Sequence, residues 1–152
     1  MAASAIIDRG MVAKLLHTQA ATTTTLTVVG RRQPDPDVNA WVRSLGLQIT
    51  REARVRGSDE SDNADFTARY QVVAGPGLAN AWALDTAVAL FIAAMNEQTM
   101  RDVSTTHQVD IQTVDDSADS TFDGEAKLEA QEVVITGKCS RTSGVTVTDF
   151  LT

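Results

Sequence analysis

Two runs of strict alternation limit what this chain can become. From Trp41 to Arg56, Leu45, Leu47, Ile49, Ala53 and Val55 share one side, and Gln48, Thr50, Glu52, Arg54 and Arg56 take the other, which is the period of a half-buried strand. A second run sets Phe66, Ala68, Tyr70, Val72 and Ala74 against Thr67, Arg69 and Gln71. The segment between them, Gly57-Ser58-Asp59-Glu60-Ser61-Asp62-Asn63, is polar and too short for a crossover helix. The two strands therefore pair antiparallel in a long hairpin. One face of that hairpin is apolar and has to be covered by another layer.

The flanking segments supply the cover. From Ser4 to Ala20, Ile7, Met11 and Leu15 recur at helical spacing, with Ile6 and Val12 widening the stripe, predicting an amphipathic helix. The threonine run Thr22 to Thr25 leads into Leu26-Thr27-Val28-Val29, a β-branched strand signal. Pro34 and Pro36 then mark an exposed loop. After the hairpin, Gly75-Pro76-Gly77 stops the strand, and a main helix is predicted from Leu78 to Met100. Up to Met95 it is apolar around nearly its whole circumference, so a single sheet contact would leave Trp82, Leu90 or Phe91 in water. Either both of its sides are covered or a partner subunit covers one.

Alternation resumes from His107 to Val114, with Val109 and Ile111 inward. An acidic loop follows, carrying Asp115, Asp116, Asp119, Asp123 and Glu125. The closing strand, Ala126 to Arg141, has Leu128 and Ala130 in one phase and Val133, Ile135 and Cys139 in the other. That change predicts a bulge or a switch of buried face near Gln131 and Glu132. The order reads as α+β: a single antiparallel or mixed sheet with a long hairpin, backed by an N-terminal and a central helix. Residues 1–144 form one domain, and 145–152 a tail able to dock on a neighbour.

Charge and composition exclude several functions. At 152 residues there is room for one ordinary domain, and the net charge of -7 disfavours a protein that wraps duplex DNA by neutralising phosphates. That sum is uneven: residues 1–58 hold eight Lys or Arg and four Asp or Glu, giving +4, while residues 97–132 hold two against ten, giving -8. The N-terminus lacks the basic start and long apolar core of a secretory signal, and Asn80, Asp85 and Thr86 interrupt the most apolar stretch. A protein made and used inside a cell, without a membrane partner, is the expectation.

The search for chemistry yields little. Cys139 is the single cysteine and sits in an apolar strand phase, and His17 and His107 stand apart as surface or edge-of-core residues. Gly75-Pro76-Gly77 lacks the Lys and Ser or Thr of a phosphate loop. Asp119, Asp123 and Gly124 match positions one, five and six of a calcium-loop register, but position three is Thr121 and position twelve is Ala130, where a bidentate carboxylate is required. No catalytic residue, metal or cofactor is expected. Asp85, set among Trp82, Leu84, Val88 and Ala89, would be costly to bury unpaired and calls for an arginine. Arg51, Arg54 and Arg56 suit bidentate pairing with carboxylates across an interface, and the acidic stretch Glu97 to Glu132 offers the complement. The candidate subunit interface is thus Arg51, Glu52, Arg54, Arg56, Asp85, Trp82 and Phe91.

In order and length the chain resembles the small α+β tail terminator, or tail-completion, proteins of long-tailed bacteriophages. The corresponding stretches are Ile6 to Leu16, Leu26 to Val29, Pro34 to Pro36, Trp41-Val42-Arg43 through Val73, Leu78 to Met100, and Val109 through Gly144. The resemblance implies a non-catalytic virion protein, assembled in the host cytoplasm. Its homohexameric ring would cap the tail tube and join it to the head-proximal connector, with DNA passing through the lumen. The alternatives are another phage neck or head-completion protein or, from a different class, a small α+β enzyme or ligand-binding domain. In the latter the pocket would lie between sheet and central helix, with Asp85 and Tyr70 the first residues to consider.

Overall fold

The computed structural model describes residues 6–23, 27–29, 40–50, 61–74, 83–123 and 128–142. The elements are α1 (Arg9–Thr23), β1 (Thr27–Val29), β2 (Ala40–Thr50), β3 (Ser61–Ala74), α2 (Ala83–Met95), β4 (Thr99–Asp102), β5 (His107–Asp115), β6 (Thr121–Asp123) and β7 (Leu128–Thr142). Among the described residues seven strands make one sheet in the order β1-β2-β3-β7-β5-β4, with β6 also paired to β7. Only β1 and β2 run parallel; the other pairs are antiparallel, so the sheet is mixed.

β2 and β3 pair antiparallel as the hairpin requires, and β3 with β7 forms the central pair of the sheet. Along β3 the even positions Asp62, Ala64, Phe66, Ala68, Tyr70, Val72 and Ala74 are all buried. They meet Val133, Ile135, Gly137 and Cys139 of β7 without a register shift. Both helices pack on this face: Val12, Leu16 and Ala20 of α1 and Leu84, Ala87, Val88, Phe91, Ala94 and Met95 of α2 join the strand residues in one core. Tyr70 and Phe91 meet there with ring centroids 5.3 Å apart and planes tilted by 56°, an edge-biased aromatic packing. No helix among the described residues is long and apolar enough to cross a membrane.

Four local expectations are corrected. The first helix begins at Arg9 and not near Ser4, because Asp8 caps it: its carbonyl accepts from the amide N–H groups of Met11 and Val12, and its Oδ1 accepts from Gly10 N–H at 2.9 Å. The helix's core stripe is centred on Val12, Leu16 and Ala20, with Met11 and Leu15 only half-buried, while Ile7 is buried from the non-helical lead-in. The second helix stops at Met95. Glu97 takes a left-handed φ of 57°, and the chain returns as β4, which buries Met100 opposite Val109.

Leu45, expected inward, is 42% exposed. The ladder shifts between Ser44 and Gly46, so Leu45 is the extra residue of a bulge and the phase reverses on either side of it. For β7, in contrast, the switch of buried face is the alternative that holds. Ala130 lies opposite Val73, which with Trp41 is buried on the face away from the helices. The tail 145–152 lies outside the described residues.

Candidate functional site

A cleft of about 480 Å³ opens between α1 and the bulged part of β2. Helical spacing makes it. With Val12, Leu16 and Ala20 directed into the core, the neighbouring rows of α1 place Arg9, Ala13 and His17, and Gly10 and Lys14, along its shoulder. The opposite wall is Ser44 and Leu47, the residues flanking the bulge, and Tyr70 lines the cleft from β3. Gly46 provides the bulge with a φ of 154°, a value that side-chain-bearing residues avoid. The Arg9 guanidinium spans the opening and donates through Nη2 to the Leu47 carbonyl.

The cleft is electropositive. Arg9 and Lys14 are exposed, His17 is half-buried, and among the described residues no carboxylate lines the space. Tyr70 is 4% exposed, and burial holds its phenol well above the ordinary range, so it stays protonated and can donate. These groups can receive an anionic moiety carried on small or apolar neighbours, since Leu16, Leu47 and Ala13 supply the rest of the lining.

A second feature is the acidic connection from β5 to β6. Asp115 is opposite Val134, after which the chain leaves β7 and returns at Thr121 opposite Ala130. Gln131 fills the gap: its Nε2 donates to the Asp116 carbonyl at 3.2 Å, to the Glu132 carbonyl at 3.0 Å, and to the Ala118 carbonyl. The Ser117 N–H donates to Asp115 Oδ1 at 2.8 Å, and hydrogen bonding by Ser117 holds that carboxyl below its usual range. Asp115, Asp116 and Asp119 are exposed.

A third cluster lies at the far end of β5 and is structural. His107, 2% exposed, accepts the Asp8 N–H at Nε2 over 2.9 Å and pairs through Nδ1 with Thr105 Oγ1 at 2.8 Å. Asp62 Oδ2 accepts from Ile7 N–H at 2.9 Å, and Arg141 Nη1 donates to the Ile6 carbonyl at 2.7 Å. These bonds tie the lead-in of α1 to the sheet.

Arg51, Glu52, Arg54, Arg56 and Trp82 lie outside the described residues, as does Glu125 of the acidic loop; Asp123 ends β6, opposite Leu128. Phe91 is corrected: at 0% exposure it belongs to the chain's own core and has no surface to offer a partner. Leu90, not Phe91, is the large apolar side chain left open among the described residues of α2, at 41%. For Asp85 only the expected burial is corrected, since an exposed carboxylate stays open to a partner. It is exposed in the first turn of α2, where a carboxylate favours the helix N-terminus, and it has no burial cost to offset with an arginine.

Tyr70 does line a cleft, but beside α1 and not α2, and Asp85 is not part of it. Arg9, Lys14 and His17 were missed as a group. Their only sequence signal was the positive sum of the N-terminal half. Among the described residues no His, Cys, Asp and Glu cluster could hold a metal ion.

No family model and no curated protein matches the chain. Among solved structures, one that carries no functional description aligns at TM-score 0.50 and 14% identity, over 93% of this chain and 100% of its own. Another, the sheath/tube terminator of an extracellular contractile injection system in its extended state, aligns at TM-score 0.49 and 12% identity, over 93% of this chain. The chain spans 61% of that terminator's length. The first likeness is one of fold.

Proposed function

We propose that this chain is a structural virion protein of a long-tailed phage, forming a hexameric ring that terminates the tail tube and joins it to the head-proximal connector. DNA passes through the lumen, the neighbours are the tube and connector proteins, and assembly takes place in the host cytoplasm. One observation carries this reading. The order on which the resemblance rests, helix, short strand, long hairpin, helix and closing strands, folds into a single sheet with both helices on one face. The positive cleft and the acidic connection add to it, being separate surfaces of opposite sign on one chain, as heterologous ring contacts require.

Light scattering or mass photometry of the full chain at micromolar concentration tests the reading. A discrete hexamer is expected, and a strict monomer overturns it. A ligand-binding α+β domain is the second reading, favoured by the cleft with Tyr70 in its lining. It predicts a monomer that binds a small anion, and calorimetry with inorganic phosphate separates the two.

A further inference from the structure

We propose that the cleft between α1 and the β2 bulge receives the acidic β5–β6 connection of a neighbouring copy, with Asp116 and Asp119 meeting Arg9 and Lys14. The inference rests on the ring reading and names the contact that builds the ring. Complementarity in charge and size supports it. Among the described residues the cleft holds Arg9, Lys14 and His17 and no acid, and the connection presents exposed Asp116 and Asp119. Its sequence, Asp116-Ser117-Ala118-Asp119-Ser120, consists only of small side chains that a narrow space admits. Gln131 holds its backbone against β7, so little ordering is left to occur on docking.

Topology makes the contact intermolecular. Leu47, Ala68, Ile135 and Val114 lie in one row across β2, β3, β7 and β5. Three strand spacings, about 14 Å, separate the cleft wall from the strand that launches the connection. Asp115 lies opposite Val134, on the sheet face away from the helices, whereas the cleft opens beside α1. A chain cannot fold its own connection into its own cleft. A donor surface and a receiver surface at different places on one chain repeat head to tail, which closes into a ring when the rotation allows.

Two charge-reversed chains test the pairing. One carries Arg9→Glu and Lys14→Glu, the other Asp116→Lys and Asp119→Lys; both are checked for wild-type circular dichroism. A Lys14→Glu chain stands in should loss of the Arg9–Leu47 bond prevent folding. Each chain alone is expected to need at least about ten-fold higher concentration for half-assembly than wild type. Mixed one to one, they should recover assembly, because every cleft then meets a connection of opposite sign in an alternating ring.

Wild-type assembly by either reversed chain alone, or failure of the mixture, overturns the pairing. Disruption by the cleft reversal but not by the connection reversal also overturns it and assigns the cleft another occupant. A monomeric wild type overturns the ring reading and the pairing together, whereas an intact wild-type ring indifferent to both reversals overturns the pairing alone.

Discussion

The two edges of β7 are built differently. Along one edge it pairs with β3 from Glu129 opposite Ala74 to Thr142 opposite Ser61 with no shift in register. Along the other edge the partner is broken: β5 runs from His107 to Asp115 with a shift between Ile111 and Thr113, then the chain departs and β6 resumes. The unbroken edge is where β3 is buried at every second residue, so any slip would expose the whole set. The broken edge has no such constraint at its end, where Asp115 and the residues after it are exposed. Burial enforces continuity, and the strand is free to break off where burial stops.

The largest effect is expected on the unbroken edge. Phe91→Ala removes the ring that packs on Tyr70 and leaves a cavity over β3, costing about 3–5 kcal/mol. Thermal denaturation should show a correspondingly large fall in Tm. A loss under about 1 kcal/mol would mean that the helical layer is not the cover of this edge.

Gly137 tests how closely the two edges depend on each other. It lies opposite Phe66 on one side and Ile111 on the other, and a methyl group there would run into the Asp110 carbonyl and sit 2.9 Å from Phe66 Cε1. Gly137→Ala should cost about 1–3 kcal/mol by overpacking, measured by urea denaturation. It should also raise amide exchange in β5 more than in β3, because the backbone in collision belongs to β5.

His107 anchors the start of the broken edge and makes its stability depend on pH. Burial first, then the Arg141 charge, holds the imidazole below its ordinary range; Asp8 and Asp102 oppose that shift and are outweighed. Asp62 lies opposite Arg141 at this end of the sheet. The folded state thus binds the proton less readily than the unfolded chain. The stabilisation is complete above the unfolded value near 6.5 and is lost as pH falls from there through the lower folded value. Protonation of Nε2 would set a donor against the Asp8 N–H. Urea midpoints should decline between pH 7 and pH 5 in the wild type, and the decline should shrink in His107→Gln.

Legibility in the sequence followed the same division. The strand from Phe66 to Ala74 was readable because its period holds without interruption and extends back through Ala64 and Asp62. The bulge at Leu45 was not, because one extra residue leaves both flanking runs individually regular. Met100 read as helix because it is apolar and follows an apolar helix; only the left-handed turn at Glu97 reassigns it to a strand. The acidic loop was visible as composition, but its hold by Gln131 was not. The cleft was hidden for a plainer reason: Arg9, Lys14 and His17 meet Ser44 and Tyr70 only through tertiary packing.

The smallest effect belongs to Gln131, and it separates stability from presentation most sharply. Its amide bridges the gap between β5 and β6 with three carbonyl acceptors, two of them in the connection. Those bonds are partly exposed and each contributes about 0.5–1.5 kcal/mol at most, with water ready to replace them. Gln131→Ala should therefore shift the urea midpoint little and leave the β3–β7 ladder untouched. Amide exchange at residues 116–120 should rise by at least about ten-fold, since local opening there no longer breaks the clasp. A large loss of global stability without faster exchange in the connection would mean that the broken edge is held by something other than this side chain. The expected pattern, global stability kept and local order lost, would show that the acidic connection is positioned independently of the core beneath it.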